Sequence, residues 1–134
     1  MLGATHALVG SAIYQTADKR WLSYALAFGA HYLLDIIPHQ ELSATANCLL
    51  FVGTGVGLGY VAWKERDWGM LIAGFLGVLP DVSRQLDLLP FITHSHAVVH
   101  TKDTSPEYGM LLELLIDISA VVLILRGRAR FEYE

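Results

Sequence analysis

The segment NCLLFVGTGVGLGYVAW, residues 47 to 63, decides the fold class of this chain. It contains no charged residue. Its length approaches that of a membrane-spanning α-helix, which needs about 20 apolar residues to cross the core of a bilayer. The glycine-rich part, Gly53 to Gly57, superficially matches a phosphate-binding loop, but it lacks the preceding strand and the Lys-Ser/Thr pair of such a loop. Close packing of membrane helices through small residues is therefore the better interpretation.

Further apolar segments lie on both sides of this one. They are Leu2 to Tyr14, Trp21 to Pro38, Trp68 to Pro80 and Gly109 to Leu125. Because all are short for a membrane span, we predict an all-α, polytopic membrane bundle of four to five short helices, forming a single membrane-embedded domain over residues 1–134. Trp68 to Pro80 is also compatible with a buried core helix. The segment starting at Leu2 is expected to act as an uncleaved insertion signal, either spanning the membrane or lying in the interface.

The composition supports a membrane protein and excludes several classes of soluble protein. Of the 134 residues, 54 % are hydrophobic and 16 % are charged, whereas soluble domains carry about 25 % charged residues. A soluble chain of this size could not bury so much apolar surface in one core. The net charge is −4, and no basic block suited to nucleic acid is present, so we expect membrane lipid rather than nucleic acid as the partner.

The basic residues indicate an orientation in the membrane. If successive segments alternate sides, seven of the nine Lys and Arg residues share one side. These seven are Lys19, Arg20, Lys64, Arg66, Arg126, Arg128 and Arg130. The positive-inside rule assigns that side to the cytoplasm.

The same alternation gathers histidines and carboxylates toward the other, non-cytoplasmic side. They include His6, Asp35, His39, Asp81, His94, His96, His100, Glu107, Glu113 and Asp117. Ionisable groups at membrane depth are costly and are usually functional. Within this group, Asp35 lies four residues from both His31 and His39, a spacing that keeps the three on one helix face. We interpret His31 itself as a polar residue of the interface.

Several carboxylates close together repel one another, and a divalent metal would neutralise them. Imidazole together with carboxylate suits zinc, and also iron or manganese. A site with open coordination positions would polarise a phosphoryl or acyl oxygen and generate hydroxide from bound water. The pattern thus indicates metal-assisted hydrolysis.

Four short motifs carry a resemblance to a known family. They are Thr5-His6 followed by Gly10, His31-Tyr32-Leu33-Leu34-Asp35, Leu79-Pro80-Asp81, and Thr93-His94-Ser95. With these motifs the sequence resembles the inner-membrane metal-dependent hydrolases of prokaryotes, a family similar in pattern to zinc-dependent phospholipase C. The resemblance covers roughly residues 3 to 100.

The resemblance implies a set of metal ligands and an activity. The ligands would be His6, Asp35, His39, Asp81 and His94, binding a divalent metal for which zinc is the first candidate. The substrate would be a phosphoester or lipid-linked compound at the non-cytoplasmic face of the inner membrane. Glu113 or Asp117 is then expected to act as the general base, or as a carboxylate that orients a ligand.

Two departures from the family pattern keep other functions open. Val82 to Gln85 stands where the family has a second Asp and a His, and Phe91-Ile92 replaces an Arg-Gly pair. The alternative is a non-catalytic accessory subunit of a larger membrane complex that keeps the hydrolase-like fold, with other membrane subunits as partners. A third hypothesis is a proton or ion carrier. Its relay would use His31, Asp35, Glu113 and Asp117. In the half of the bundle next to the basic loops, however, the helices carry no charged residue that could continue the relay.

Overall fold

The computed structural model describes residues 1–37, 39, 42–99 and 106–127, and within these ranges the chain forms six α-helices and no strand. The helices are α1 (Gly3–Thr16), α2 (Arg20–Ile36), α3 (Ala44–Glu65), α4 (Gly69–Leu86), α5 (Pro90–Val99) and α6 (Pro106–Gly127). The all-α class is confirmed. In these ranges the structure has one helix more than the predicted four to five. The additional helix is α5, which lies in a stretch without a long apolar run. It begins at Pro90, and proline favours the first position of a helix because its φ angle is already helical.

Helix α1 lies at the centre and packs against α2, α3, α4 and α6. Small residues allow it to approach α4 closely. A Cβ atom at Gly10 would lie 2.5 Å from the carbonyl oxygen of Ala73, and one at Gly77 would lie 2.6 Å from that of His6. The two backbones are therefore in direct contact near residue 6, which fixes the position of α4 relative to the start of α1.

Helix α4 continues through Pro80, although the apolar run in the sequence ends at that residue. Proline removes one backbone donor and usually kinks or ends a helix, but here the helix continues to Leu86. It ends at Asp87, whose φ of 49° is left-handed. The side chain of Asp81 consequently projects from within a helix and not from a loop.

Two of the helices in the described ranges, α3 and α6, are long and apolar enough to cross a membrane. Most of their large apolar side chains point outward. Examples are Leu49 (69 % exposed), Val56 (69 %) and Leu114 (54 %). Contiguous apolar surface of this kind is rare on soluble monomers and is typical of surfaces that contact lipid or another protein.

Polar contacts fix the two ends of the bundle. At one end the backbone N–H of Leu2 donates to Glu113 Oε1 at 2.6 Å, and that of Gly3 donates to Asn47 Oδ1 at 3.3 Å. At the other end the hydroxyl of Tyr14 donates to the carboxylate of Asp67 at 2.9 Å. The starts of α1, α3 and α6 therefore lie together, roughly 17 Å along α1 from the end that carries Tyr14.

Candidate metal centre

A buried cluster of imidazoles and carboxylates lies between four helices, at the end where α1 begins. Its members are His6 from α1, His31 and Asp35 from α2, Asp81 from α4 and His96 from α5. Four of them are at most 1 % exposed, and only the side chain of Asp81, at 27 %, is accessible. Burying so many ionisable groups is costly unless they neutralise one another or bind a cation.

Asp35 lies at the centre of this cluster. Its Oδ1 is 3.1 Å from His6 Nε2, and its Oδ2 is 3.1 Å from His31 Nε2 and 2.9 Å from His96 Nε2. One buried carboxylate thus faces three imidazoles that come from three different helices, and its Oδ1 also lies 3.3 Å from the N-terminal ammonium of Met1. Each oxygen atom points to a different part of the cluster.

His31 is held in the tautomer that suits a metal ligand. Its Nδ1 lies 2.8 Å from the carbonyl oxygen of Gly77, which can only accept a hydrogen bond, so Nδ1 carries the proton. In the neutral ring Nε2 then presents a lone pair toward Asp35, and this buried nitrogen has no hydrogen-bond partner among the described residues. Two lone pairs facing each other at 3.1 Å repel unless a cation lies between them. A backbone carbonyl that fixes the second ring nitrogen is a common feature of metal-binding histidines.

His96 lies between the two carboxylates. Its Nε2 is 2.9 Å from Asp35 Oδ2 and 3.2 Å from Asp81 Oδ1. Burial lowers the pKa of His96, but the carboxylates of Asp35 and Asp81 outweigh that effect and raise the pKa to about 9. The cluster therefore attracts positive charge at this position, and a proton and a metal ion would compete for it.

Hydrogen bonds between helices determine which face of α5 meets the cluster. The hydroxyl of Thr93 donates to the carbonyl oxygen of Ser83 at 3.3 Å, and Ser83 Oγ accepts from the N–H of Leu89 at 3.1 Å. On the neighbouring side, Tyr32 Oη and Ser95 Oγ are 3.0 Å apart. These contacts join α5 to α4 and to α2, so the intervening side chain of His96 is directed inward.

The predicted ligands fall into two groups. His6, Asp35 and Asp81 lie in the cluster, whereas His94 is exposed on α5. His39 is buried, and its Nδ1 lies 2.8 Å from the carbonyl oxygen of Ile37. Within the described ranges, neither His39 nor His94 belongs to the group of residues placed to share one metal ion.

The two carboxylates proposed as bases lie beside the start of α1. Glu113 Oε1 accepts from the backbone N–H of Leu2 at 2.6 Å and from the hydroxyl of Thr5 at 3.0 Å. Glu113 therefore satisfies donors in the first turn of α1, which positions His6 one residue further on. Asp117 Oδ1 is buried without a hydrogen bond to any residue described. His100 lies outside the described residues.

Two residues of the cluster, His31 and His96, were not among the predicted ligands. For His31 the signal was present, because it lies four residues from Asp35 on the same helix face. For His96 the sequence offered no comparable signal. His94 and His96 are two residues apart, so they project about 200° from each other around a helix, and only tertiary packing decides which of them points inward.

A groove of about 580 Å³ leads to the accessible edge of the cluster. It is lined by residues of α1, α3 and α4 and by the chain segments just before α1 and α3. They include Leu2, Phe51, Val78, Asp81, Val82, Arg84 and Leu86. Most of the groove wall is apolar, while Asp81 and Arg84 place one carboxylate and one guanidinium along it.

The geometry of the cluster is the basis for a functional proposal, because similarity does not provide one. Three comparisons, with protein-family models, with curated proteins and with solved structures, found no match to this chain.

Proposed function

We propose that this protein is a membrane-bound, metal-dependent hydrolase acting on a phosphoester or a related bond in a lipid or lipid-linked substrate. The observation that carries the proposal is the buried group His31, Asp35, Asp81 and His96, whose ligand atoms all lie within 4.8 Å of one another. This donor set fits zinc first, and also manganese or iron. A divalent ion bound there would polarise a phosphoryl oxygen and lower the pKa of a bound water.

In this proposal the protein's own residues bind, orient and move protons. Hydrolysis adds a water oxygen to phosphorus, breaks the bond to the leaving alcohol and transfers a proton to the leaving oxygen. Gly77 orients His31 through its carbonyl group, and Tyr32 orients α5 through Ser95. Glu113 or Asp117 would act as the general base, or as a carboxylate that orients α1.

The proposed location is the inner membrane of a prokaryote, with the basic loops in the cytoplasm. The outward-facing apolar surfaces of α3 and α6 support contact with lipid. Helices α1, α2 and α4 would complete a polytopic bundle with them. The metal centre would then lie at the non-cytoplasmic end, where a lipid headgroup can reach it.

A pair of histidine variants tests the metal-binding part of the proposal. His96→Ala should lose stoichiometric metal, because it removes an imidazole that faces both carboxylates. The geometry predicts that His94→Ala retains the metal, whereas the sequence pattern predicts its loss, so the pair also decides between these predictions. Elemental analysis of detergent-purified protein measures the metal. Hydrolysis of a phospholipid in mixed micelles, with and without chelator, measures the activity.

The proposal fails if the wild-type protein carries no stoichiometric metal and binds none that is added. It also fails as a hydrolase if metal-loaded protein releases no product from phospholipids or from a soluble phosphodiester. Equal metal contents in His96→Ala and wild type would show that the cluster is not the site.

Arg84 is expected to recognise the anionic group of the substrate. It is exposed along the groove, and no acidic residue in the described part of the chain pairs with it. Arg84→Gln should raise KM about tenfold or more with little change in kcat, since a charge-assisted hydrogen bond contributes about 1.5–3 kcal/mol. Arg126→Gln makes the same change at the end of α6 and should leave both constants unchanged. A fall in kcat without a change in KM would contradict this role.

An accessory subunit is the second candidate function, and one observation favours it. An open apolar groove of about 480 Å³ lies between α3 and α6. It is lined partly by Gly53 and Gly57, whose Cβ positions meet no atom of the described residues within 4 Å. Small residues on an open face suit packing against a partner helix. Co-purification of another membrane protein at fixed stoichiometry, with no metal in the cluster, would favour this function over hydrolysis.

A further inference from the structure

The two carboxylates of the centre each present their two oxygens to different imidazoles. Asp35 turns Oδ1 toward His6 and Oδ2 toward His31 and His96. Asp81 repeats the division. Its Oδ2 lies 3.9 Å from His6 Nε2, and its Oδ1 lies 3.2 Å from His96 Nε2 and 3.9 Å from His31 Nε2. The donors thus separate into two sets that share both carboxylates.

The first set holds His31 and His96 together with one oxygen from each carboxylate. These four residues form the group whose ligand atoms lie within 4.8 Å of one another, and His6 does not belong to it. The second set holds His6 with the other two carboxylate oxygens, and one of these, Asp35 Oδ1, also accepts from the N-terminal ammonium of Met1 at 3.3 Å. A single ion would leave His6 Nε2 outside its coordination sphere, although this nitrogen lies 3.1 Å from Asp35 Oδ1.

The imidazole rings of the two sets lie close together. The rings of His6 and His31 are stacked, with centroids 4.0 Å apart and planes inclined by 30°. The Nε2 atoms of both rings lie 3.1 Å from Asp35, one at each carboxylate oxygen. Paired metal ions in hydrolytic centres lie about 3.5–4 Å apart, a distance that bridging carboxylates span.

We propose that the centre binds two divalent ions, bridged by Asp35 and Asp81. One ion is held by His31 and His96, and the second by His6. This inference deepens the proposed function, on whose metal-binding part it rests. It assigns to His6 a site of its own within the shared cluster.

The two sites differ in strength and in access. The first has two imidazoles, and the carbonyl of Gly77 orients one of them. The second has one imidazole, and the buried His6 Nδ1 has no hydrogen-bond partner among the residues described. Because loss of an orienting partner typically weakens metal affinity about 10–100-fold, the His6 site should bind its ion more weakly than the His31–His96 site by about that factor.

Of the residues of the centre, only Asp81 lines the substrate groove, and the His6 site is the nearer of the two to the other groove residues along the chain. The chain from Met1 to Gly3, one turn before His6, lines the groove together with Asp81, while no described residue of α2 or α5 does. With three protein donors, the His6 site would keep coordination positions open for water and a phosphoryl oxygen, as catalytic sites do. The His31–His96 site would hold its ion mainly in place.

The test is a titration of metal-stripped, detergent-purified protein with Mn²⁺, followed by elemental analysis and electron paramagnetic resonance. The wild type should bind two ions per chain, the second about 10–100-fold more weakly, with the spectrum of a magnetically coupled pair. His6→Gln should bind one ion and give an uncoupled spectrum. Asp87→Asn changes an exposed residue at the C-terminal end of α4, and this variant should behave like the wild type.

The possible outcomes separate this inference from the proposed function. Saturation of the wild type at one ion per chain, or two coupled ions in His6→Gln, overturns the two-ion centre. Two coupled ions without hydrolysis would support the two-ion centre and contradict the hydrolase proposal. Hydrolysis by protein that binds one ion would support the hydrolase proposal and contradict the two-ion centre. His6→Asn provides a second variant if His6→Gln does not fold, and the wild-type stoichiometry decides in either case.

Discussion

Asparagine in place of Asp35 is expected to leave the protein without bound metal and to lower hydrolysis at least about a thousandfold, because metal-ion catalysis contributes several kcal/mol. Asp35 is the residue that faces His6, His31 and His96 at 2.9–3.1 Å. The amide keeps the shape of the side chain but removes its charge, and its NH₂ group would face imidazole lone pairs. Elemental analysis and an activity assay on the same preparation measure both effects.

Asp87→Asn is the matched control for this change. Asp87 is exposed and ends α4 with a φ of 49°, a conformation that asparagine also tolerates. It should retain wild-type metal and activity. Asp35→Asn protein that elutes as a folded species with the full metal content would refute the assignment of the centre.

Alanine in place of Gly10 is expected to destabilise the bundle by about 1–3 kcal/mol, the usual effect of overpacking a close contact. The new Cβ atom would lie 2.5 Å from the carbonyl oxygen of Ala73 and 3.2 Å from the Cα atom of Gly74. Because both of these are backbone atoms of α4, no side-chain rotation can relieve the clash, and α1 must move away. Thermal unfolding in detergent measures the change.

Gly53→Ala is the control, since it makes the same substitution within a helix. Its Cβ position meets no atom within 4 Å among the described residues. Without a clash, replacement of glycine by alanine inside a helix stabilises by up to about 1 kcal/mol, so the melting temperature should stay equal or rise. A destabilisation of Gly53→Ala as large as that of Gly10→Ala would mean that α3 is also closely packed on its glycine face.

The helices with long apolar runs could be predicted from the sequence with good boundaries. The run Trp21 to Pro38 corresponds to α2, and the run Asn47 to Trp63 to α3. Charged residues bound these runs on at least one side, and charge marks the limits of an apolar helix. The continuation of α4 beyond Pro80 could not be predicted, since proline locally favours an end to the helix. The helical state of Pro90–Val99 depends on hydrogen bonds to α4 and α2 that no local pattern reveals.

The sequence could predict those parts of the site in which two residues lie on the same helix, because their spacing fixes their relative positions. The four-residue spacing of His31 and Asp35 places both on one face whatever the tertiary structure. His96 required knowledge of how α5 is rotated, and that rotation is set by Thr93 and Ser95 through contacts with Ser83 and Tyr32. Side-chain spacing within one element was therefore informative, whereas the orientation of a short helix against its neighbours was not.

The five residues of the candidate metal centre come from four helices and extend in the chain from His6 to His96. During synthesis, a growing chain has no complete set of donors until α5 has left the ribosome and docked. An ion that binds only the assembled centre would favour the mature arrangement by about 2.7 kcal/mol when its free concentration is 100 times the Kd. Metal supply would then set not only the activity of the protein but also the yield of correctly assembled chains during biogenesis.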